Sequence, residues 1–261
     1  MKSKKIIALT LAVIMTIVGV IFAGCSNNAE KEDPKDKTYI IYSDNAFAPF
    51  EYLDEATNEY VGVDMELLAA IAKDQGFKYE VHNEGFDPSL GAVQSGQADG
   101  MIAGMTITDE RKEIFDFSDG YFENGQVLTV GVDTGIESLE DLKGKTVAVK
   151  AATMGAEYAQ SIKDEYGFSI NTYEGSDQMY QSVTSGSNVA CFEDYAVITY
   201  AINTGNVNLK TVGDGVNPAY YGFAVKKGSN PELIEMFNKG LKNIKANGEY
   251  EKILAKYGYE A

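Results

Sequence analysis

The sequence predicts an α/β protein made of two similar lobes, and three observations support this prediction. The chain has 261 residues, of which 44% are hydrophobic, enough to bury a substantial core. From Tyr39 onward, strand-like and helix-like segments alternate, as they do in sheets covered by helices. The segment AVQSG at 92–96 is similar to SVTSG at 182–186, and each precedes a predicted strand. This weak internal repeat, with the same order of elements around it, indicates two related lobes.

The N-terminal segment is predicted to direct export rather than to join the fold. Lysines at positions 2, 4 and 5 form a basic start, residues 6–22 are an uncharged apolar run, and small residues follow at 23 and 24. This order is typical of a secretory signal, although an apolar run of this length could also just span a bilayer.

The sequence FAGC at 22–25 decides between these alternatives, because it resembles a bacterial lipoprotein box whose cysteine carries the lipid. We therefore expect a signal peptide at 1–24, a lipid anchor on Cys25 and a flexible tether at 25–37. Such an anchor holds the protein on the outer face of the bacterial cytoplasmic membrane. An uncleaved membrane anchor and plain secretion are the alternatives.

The first half of the remaining chain is predicted to contain strands at 39–42, 78–82 and 98–103 and helices at 64–75 and 88–95. Apolar residues at the spacing of one helical face support the helix at 64–75, with Asp64 placed to cap its start and Gly76 to end it. The second half repeats this order, with strands at 146–150, 170–173 and 189–192 and helices at 156–166, 177–185 and 195–203. Residues 231–257 are also predicted to be helical.

Two extended stretches, at 121–126 and 219–223, are expected to cross between the lobes. If the chain leaves the first lobe once and returns once, lobe 1 comprises 38–122 with 222–261, and lobe 2 comprises 123–221. Ligands of α/β sheets bind at the carboxyl ends of the strands, so two facing lobes form a cleft for a small molecule.

Charge and composition exclude several functions. With 39 acidic and 22 basic residues and no basic cluster after residue 5, the chain is not expected to bind nucleic acid. His82 is the single histidine, so histidine-dependent catalysis has only this residue to draw on, and no metal site or cofactor is expected. No phosphate-binding glycine loop occurs. Cys191 is expected to be a buried apolar residue, with a catalytic thiol as the minor alternative, and a pair of catalytic carboxylates remains open.

The single arginine among the basic residues is a candidate ligand-binding group. Arg111 carries a planar guanidinium that can hold a carboxylate through two parallel hydrogen bonds. Thr106 offers a hydroxyl nearby, and Thr108 is placed to cap a helix whose first turn contains Arg111, so that N–H groups and the guanidinium face one anion. Phe47 and Phe86, in loops after predicted strands, could sandwich the aliphatic part of a ligand. A surface arginine and ordinary aromatic core packing are the alternatives.

Four motifs together resemble the family 3 extracellular solute-binding proteins, the receptors of polar amino acid ABC importers. They are DNAFAPFE at 44–51, VGVD at 61–64, ITDER at 107–111 and DFSDGY at 116–121, and the resemblance extends from 39 to 258. It implies a two-lobed periplasmic-binding-protein (Venus flytrap) fold, with a mostly parallel sheet and flanking helices in each lobe and two hinge strands. It also implies a monomeric, non-catalytic receptor whose partners are an amino acid and the permease and ATPase of an importer.

The resemblance also implies roles for individual residues. Arg111 matches the arginine that grips the ligand α-carboxylate, helped by Thr106 and by Thr153. The carbonyl of Gly104, beside Met105, matches an acceptor for the α-ammonium, and Asp194 matches its acidic partner. Phe47 and Phe86 match the aromatic walls of the ligand site. A zwitterion needs one cationic and one anionic clamp in a dry site, which these residues provide.

The preferred amino acid is predicted from two further positions. Asp44 and Lys150 match residues that contact the ligand side chain in similar glutamine-binding proteins, and an amide offers a carbonyl to Lys150 and an NH₂ group to Asp44. Two positions depart from that pattern, because Glu193 replaces a histidine and Met154 replaces a glycine. We expect glutamine first, then glutamate or another polar amino acid, then a cationic one. Whether Lys150 contacts the ligand or pairs with Glu193 stays open.

Two other classes of protein are possible for this pattern. An enzyme similar to the cyclohexadienyl dehydratases would need a general acid or base beyond the amino acid clamps. A sensor ectodomain would need a transmembrane output segment, and no apolar run of that length follows residue 25.

Overall fold

The computed structural model describes residues 33–260. The predicted signal peptide, the lipid anchor at Cys25 and residues 25–32 of the predicted tether lie outside the described residues. Within the described part of the chain, no helix is both long enough and apolar enough to cross a membrane.

Residues 33–260 form 13 strands and eight α-helices. The strands are β1 (Thr38–Ser43), β2 (Ala46–Phe47), β3 (Glu51–Asp54), β4 (Glu59–Val61), β5 (Lys78–Asn83), β6 (Gly100–Met101), β7 (Phe115–Phe117), β8 (Phe122–Gly131), β9 (Thr146–Lys150), β10 (Ser169–Tyr173), β11 (Ala190–Asp194), β12 (Leu209–Tyr221) and β13 (Ala224–Lys226). The helices are α1 (Val63–Gln75), α2 (Phe86–Ser95), α3 (Asp109–Lys112), α4 (Met154–Tyr166), α5 (Ser176–Thr184), α6 (Tyr195–Asn203), α7 (Pro231–Ala246) and α8 (Glu249–Lys256).

The strands form two five-stranded sheets and one small three-stranded sheet. The first sheet has the order β5-β1-β6-β13-β7 and the second has the order β10-β9-β11-β8-β12. In each sheet the first two pairings are parallel and the last two are antiparallel. Four of the five strands in each sheet therefore run in the same direction, and one strand, β13 in the first sheet and β8 in the second, is reversed. This confirms the prediction of a mostly parallel sheet in each lobe.

The predicted crossing stretches belong to two long strands that pair with each other. Tyr221 lies opposite Phe122 and Ala219 lies opposite Asn124 in the antiparallel pair of β12 and β8. Strand β12 also bonds to the loop between β6 and α3, since the Ile107 N–H donates to the Tyr220 carbonyl at 2.8 Å. The two sheets are thus joined by paired strands, which is the hinge arrangement of the two-lobed fold.

The start of α1 differs from the prediction. Its N-cap is Gly62, and Asp64 is the second residue of the helix with its side chain turned into the protein interior. The carboxylate of Asp64 accepts hydrogen bonds from the Gly104 N–H and the Tyr121 hydroxyl, so it is not available to cap the helix. At the other end Gly76 adopts the left-handed conformation and closes the helix as predicted.

Each sheet buries its own apolar cluster. Helices α1, α7 and α8 pack around the first sheet with Tyr39, Ile41 and Phe237, and α4 packs on the second with Val147, Val149 and Phe192. The free Cys191 is buried in a further cluster behind the second sheet, where burial raises the pKa of its thiol well above the ordinary value. These packed sheets give the residues at their strand ends fixed positions.

Candidate functional site

The predicted site residues gather where strands of the two sheets end. Asp44 directly follows β1, Lys150 is the last residue of β9, and Asp194 is the last residue of β11. Parallel strands present their carboxyl ends at one edge of a sheet, which explains why residues far apart in sequence meet here. All three residues are buried.

Asp44 and Lys150 form an ion pair between the two sheets. The Lys150 ammonium donates to Asp44 Oδ2, while Asp44 Oδ1 accepts the backbone N–H of Asn45 at 2.7 Å. The side chains of the pair are 2% and 1% exposed respectively, and the Lys150 Nζ lies 4.8 Å from the centre of the Phe47 ring. A pair this dry persists because both charges have a direct partner.

Arg111 lies in the same cleft and also joins the two halves of the molecule. Its Nη1 donates to the Thr106 carbonyl and its Nη2 donates to the Ala152 carbonyl, both at 2.9 Å. Its guanidinium lies 5.6 Å from the centre of the Phe86 ring and 3.9 Å from a carboxylate oxygen of Glu157. Burial lowers the pKa of Arg111 from its ordinary value, and Glu157 and Asp194 oppose this effect.

The short helix that carries Arg111 begins as predicted. Thr108 is the N-cap of α3, and its side-chain oxygen accepts the Arg111 N–H at 3.1 Å. This helix has only four residues, so its main effect is to set the direction of the Arg111 side chain.

Asp194 is held by two neutral donors. Gln126 Nε2 donates to its Oδ1 at 3.2 Å, and the Tyr221 hydroxyl donates to its Oδ2 at 2.5 Å. Burial raises the pKa of Asp194, and these two hydrogen bonds and the charge of Arg111 partly counter that rise. Gln126 and Tyr221 belong to the paired strands β8 and β12, so the hinge strands position this acid.

Glu193 points toward the second sheet's own helix rather than toward Lys150. Its Oε2 accepts the hydroxyls of Ser176 and Tyr180, both at 2.8 Å, and its Oε1 accepts the Asp194 N–H at 2.9 Å. Burial, followed by the charge of Asp194, raises the pKa of Glu193 to about 7. Among the described residues, Lys150 forms its ion pair with Asp44 and not with Glu193.

Gly104 and Phe47 are in close contact. Gly104 has a φ of 54°, and a Cβ at this position would overlap the Phe47 ring. Glycine is required here because any side chain would both strain the backbone and displace the ring. Met105 is buried in the adjoining apolar cluster with Phe86, and the backbone of Thr106 accepts from Arg111.

Thr153 and Met154 lie at the start of α4. Thr153 is the N-cap, with its hydroxyl donating to the Lys150 carbonyl at 2.8 Å and accepting the Ala156 N–H at 3.3 Å. Met154 is the first helical residue and is half-buried. The residue before them, Ala152, has a φ of 60°, which presents its carbonyl to Arg111.

Several residues that complete the cleft were not predicted. They are Ala152, which accepts from Arg111; Gln126 and Tyr221, which hold Asp194; and Ser176 and Tyr180, which hold Glu193. Two further buried acids, Glu51 and Asp64, lie below the cleft, where Asp64 accepts the Gly104 N–H. Polar residues inside the predicted crossing stretches were a usable signal for Gln126 and Tyr221. A backbone carbonyl such as that of Ala152 leaves no signal in a sequence.

The cleft contains the guanidinium of Arg111 and the buried carboxylate of Asp194, whose pKa is raised by burial, a rise that the charge of Arg111 partly counters. It also contains the aromatic rings of Phe47 and Phe86. This arrangement is chemically complementary to a small zwitterion with an aliphatic portion. Within residues 33–260, no cluster of histidine, cysteine and acidic side chains is arranged to hold a metal ion.

Comparison with known proteins defines the class. Residues 39–260 match the model of the bacterial extracellular solute-binding proteins, family 3, and the chain belongs to this family. The relatives that match this chain include amino-acid-binding proteins of ABC transporters.

Individual relatives differ in what they bind. The arginine-binding extracellular protein ArtP of Bacillus subtilis is 33% identical over 250 residues, covering 95% of this chain and 96% of that protein. The arginine-, lysine-, histidine-binding protein ArtJ of Geobacillus stearothermophilus is 37% identical, with a TM-score of 0.78 over 86% of this chain and 97% of that one. The second substrate-binding domain of Lactococcus lactis GlnP, in an open conformation, is 46% identical, with a TM-score of 0.59 over 88% and 99%.

Proposed function

We propose that this protein binds one polar L-amino acid between its lobes, with glutamine preferred, and delivers it to an ABC importer. The lobes are proposed as 38–122 with 222–261 and as 123–221, a division supported by the strand membership of the two sheets. The single observation that carries the choice of glutamine is the buried contact between Asp44 and Lys150.

A side-chain amide can enter between these two charges and satisfy both. Its carbonyl accepts from the Lys150 ammonium, and its NH₂ group donates to the Asp44 carboxylate. A glutamate side chain would satisfy Lys150 but repel Asp44, and a cationic side chain would do the reverse. Glutamine therefore leaves neither buried charge without a partner.

The α-groups of the ligand are assigned to the other residues of the cleft. Arg111, with Thr106 and Thr153, binds the α-carboxylate, which takes the place of the Ala152 carbonyl at the guanidinium. Gly104 and Asp194 bind the α-ammonium, and Phe47 and Phe86 enclose the aliphatic carbons. Met105, Met154 and Glu193 border the cleft and restrict its size.

Delivery follows from the family and from the N-terminal pattern. The lipid on Cys25 keeps the protein, as a monomer, beside the permease and ATPase of the importer. Ligand contacts from both lobes favour the closed state by their differential affinity, which gives the permease a closed receptor to recognise. The cleft acts as a clamp for transport rather than as a catalytic site.

Thermal unfolding of the purified protein against each of the twenty amino acids tests the proposal, after unfolding and refolding to remove any carried-over ligand. At about 100 times the Kd, binding adds about 2.7 kcal/mol. For a chain of this size that corresponds to a rise in Tm of about 5–10 °C.

We expect the largest rise with glutamine. A larger rise with arginine or lysine would keep the α-clamps but assign Asp44 and Glu193 to a cationic side chain, as several relatives' ligands would suggest. No rise with any amino acid, together with product formation from arogenate or prephenate, would replace the transport function by an enzymatic one.

A further inference from the structure

A second group of buried acids lies beneath the cleft and is not used by the proposed ligand contacts. Glu51 is the first residue of β3 and Asp64 is the second residue of α1, and both have 0% exposure. Within the described residues, neither carboxyl forms a salt bridge with a lysine or arginine. Two acids in this position require some other source of stabilisation.

The backbone brings the two acids together. The N–H of Val63 donates to the Pro49 carbonyl and the N–H of Asp64 donates to the Phe50 carbonyl, both at 2.9 Å. Gly62 permits this approach, because a Cβ there would overlap the Phe50 carbonyl. Since Glu51 follows Phe50 directly, its carboxyl comes within hydrogen-bonding reach of the Asp64 carboxyl.

Three of the four carboxyl oxygens of these two acids have no hydrogen-bond donor among the described residues. Asp64 Oδ2 accepts the Gly104 N–H and the Tyr121 hydroxyl, both at 2.8 Å. Asp64 Oδ1 and both oxygens of Glu51 are buried, and no N–H or O–H group among residues 33–260 donates to them. Two adjacent carboxylates cannot bond each other, but a carboxylic acid can donate to a carboxylate.

The surrounding charges do not replace that donor. The charged and titratable groups that face the pair are Asp44, Lys150 and the hydroxyl of Tyr121. The one cation, Lys150, is already bonded to Asp44. Burial raises the pKa of Glu51 well above its ordinary value, with further rises from Asp64 and Asp44, and burial raises the pKa of Asp64 to about 6.

We infer that Glu51 and Asp64 share one proton, with Glu51 as the acid, and that this pair positions the Gly104 backbone at the ligand site. The Glu51 O–H donates to Asp64 Oδ1, so Asp64 stays a carboxylate that holds the Gly104 N–H with its other oxygen. Glu51 is thus a positioning residue that acts through Asp64. The positioning role rests on the proposed function, whereas the shared proton does not.

Two substitutions at Glu51 distinguish the effect of its hydrogen-bond donor from the effect of its side-chain shape. Glu51→Gln keeps a donor toward Asp64, because the amide NH₂ replaces the acid O–H, and it removes the titrating proton. Glu51→Met has a similar length and no donor, so Asp64 Oδ1 is left buried and unpaired. We expect Glu51→Gln to bind the wild-type protein's best amino acid within about threefold of the wild type. We expect Glu51→Met to lose about tenfold or more, on the scale of one unpaired buried group.

The proton is tested without any ligand. In the infrared spectrum at pH 7, the wild type minus Glu51→Gln difference should show the C=O stretch of a protonated carboxyl. Because the pKa of Glu51 is raised on folding, the native state holds a proton that the unfolded state releases above pH about 4.5. The unfolding constant of the wild type relative to Glu51→Gln should therefore rise with pH, by up to tenfold per pH unit between about 4.5 and 7.

Absence of both the infrared band and the relative pH dependence would overturn the shared proton, even if every amino acid bound as proposed. Equal ligand affinities for Glu51→Met and Glu51→Gln would overturn the positioning role. If Glu51→Met does not fold, the positioning role is tested by Glu51→Gln alone. Weaker ligand binding by Glu51→Gln would then overturn the role, because this variant keeps the donor toward Asp64. If no amino acid bound the wild type, the proposed function would fail while the infrared and pH measurements still reported on the pair.

Discussion

At the scale of single residues, the cleft is a set of buried charges that each have a direct partner. Asp44 bonds Lys150, Arg111 bonds two carbonyls, and Asp194 accepts from Gln126 and Tyr221. A ligand must replace or add to these partners, because removing one without replacement leaves a charge in a dry site. Substitutions at these positions should therefore change the affinity for the ligand.

Arg111→Lys should weaken binding of the preferred amino acid by about 2–4 kcal/mol, because one ammonium cannot reproduce two parallel hydrogen bonds to a carboxylate. Isothermal titration calorimetry with the purified protein measures the change. Lys112→Ala, at an exposed lysine of the same short helix, is the matched control and should bind as the wild type does. A loss below tenfold for Arg111→Lys would argue against the carboxylate clamp.

Lys150→Met should reverse part of the ligand preference. Without the ammonium, Asp44 Oδ2 loses its donor, and a cationic ligand side chain can take that place. We expect the ratio of glutamine to arginine affinity to fall by at least about tenfold, the effect of one charge-assisted hydrogen bond. Competition calorimetry checks this, with the exposed Lys145→Met as control. An unchanged ratio would show that Lys150 does not read the ligand side chain.

At the scale of elements, the start of α1 depends on a close backbone approach. Gly62 has a φ of 136°, and the N–H groups of the next two residues, Val63 and Asp64, donate to the segment that leads into β3. The helix thereby places Asp64 beneath Gly104, as well as burying its apolar face against α7. The backbone approach at Gly62 thus fixes the position of α1 relative to the cleft.

Gly62→Ala should destabilise the protein by at least about 2 kcal/mol, because it adds a steric overlap to a strained conformation. Gly91→Ala is the matched control, since Gly91 lies exposed inside α2 with no neighbouring atom near its added Cβ. That change should stabilise by about 0.5–1 kcal/mol through helix propensity. Chemical denaturation measures both, and a loss of stability no larger at Gly62 than at Gly91 would contradict the account of α1.

At the scale of the whole molecule, polar contacts join the two sheets across the cleft. Lys150 and Ala152 come from the second sheet's side, and their partners Asp44 and Arg111 come from the first. Glu193 and Asp194 are buried side by side at the end of β11, and this burial raises the pKa of each carboxyl. The stability of the molecule should therefore depend on pH near neutrality.

The free energy of unfolding should fall as pH rises from about 4.5 to 7, because the folded protein keeps a proton on Glu193 that the unfolded chain releases. The contribution of this one group is at most about 1.4 kcal/mol per pH unit. The wild type minus Glu193→Gln difference in unfolding free energy isolates it. Glu165→Gln, at an exposed acid of α4, is the control and should follow the wild type. Parallel curves for the wild type and Glu193→Gln would contradict the raised pKa.

Local patterns were sufficient for much of the fold. The strand at 146–150 and the helix at 195–203 have the predicted bounds, because periodicity and flanking turn residues are properties of a short segment. The small sheet of β2, β3 and β4 was not predicted, since its strands are too short to show alternation. Asp64 was misassigned as a cap because an acid near a helix start has the same pattern whether it caps or turns inward.

The sequence by itself determined the α/β class, the family, the lone arginine with its capping threonine, and the residues expected in the cleft. Only the tertiary structure decided which of these residues are partners. Asp44 and Lys150 are 106 positions apart on different sheets, and Glu51 meets Asp64 only through a backbone approach at Gly62. Local patterns record propensity and burial, whereas the pairing of buried charges depends on distances that exist only after both sheets have packed.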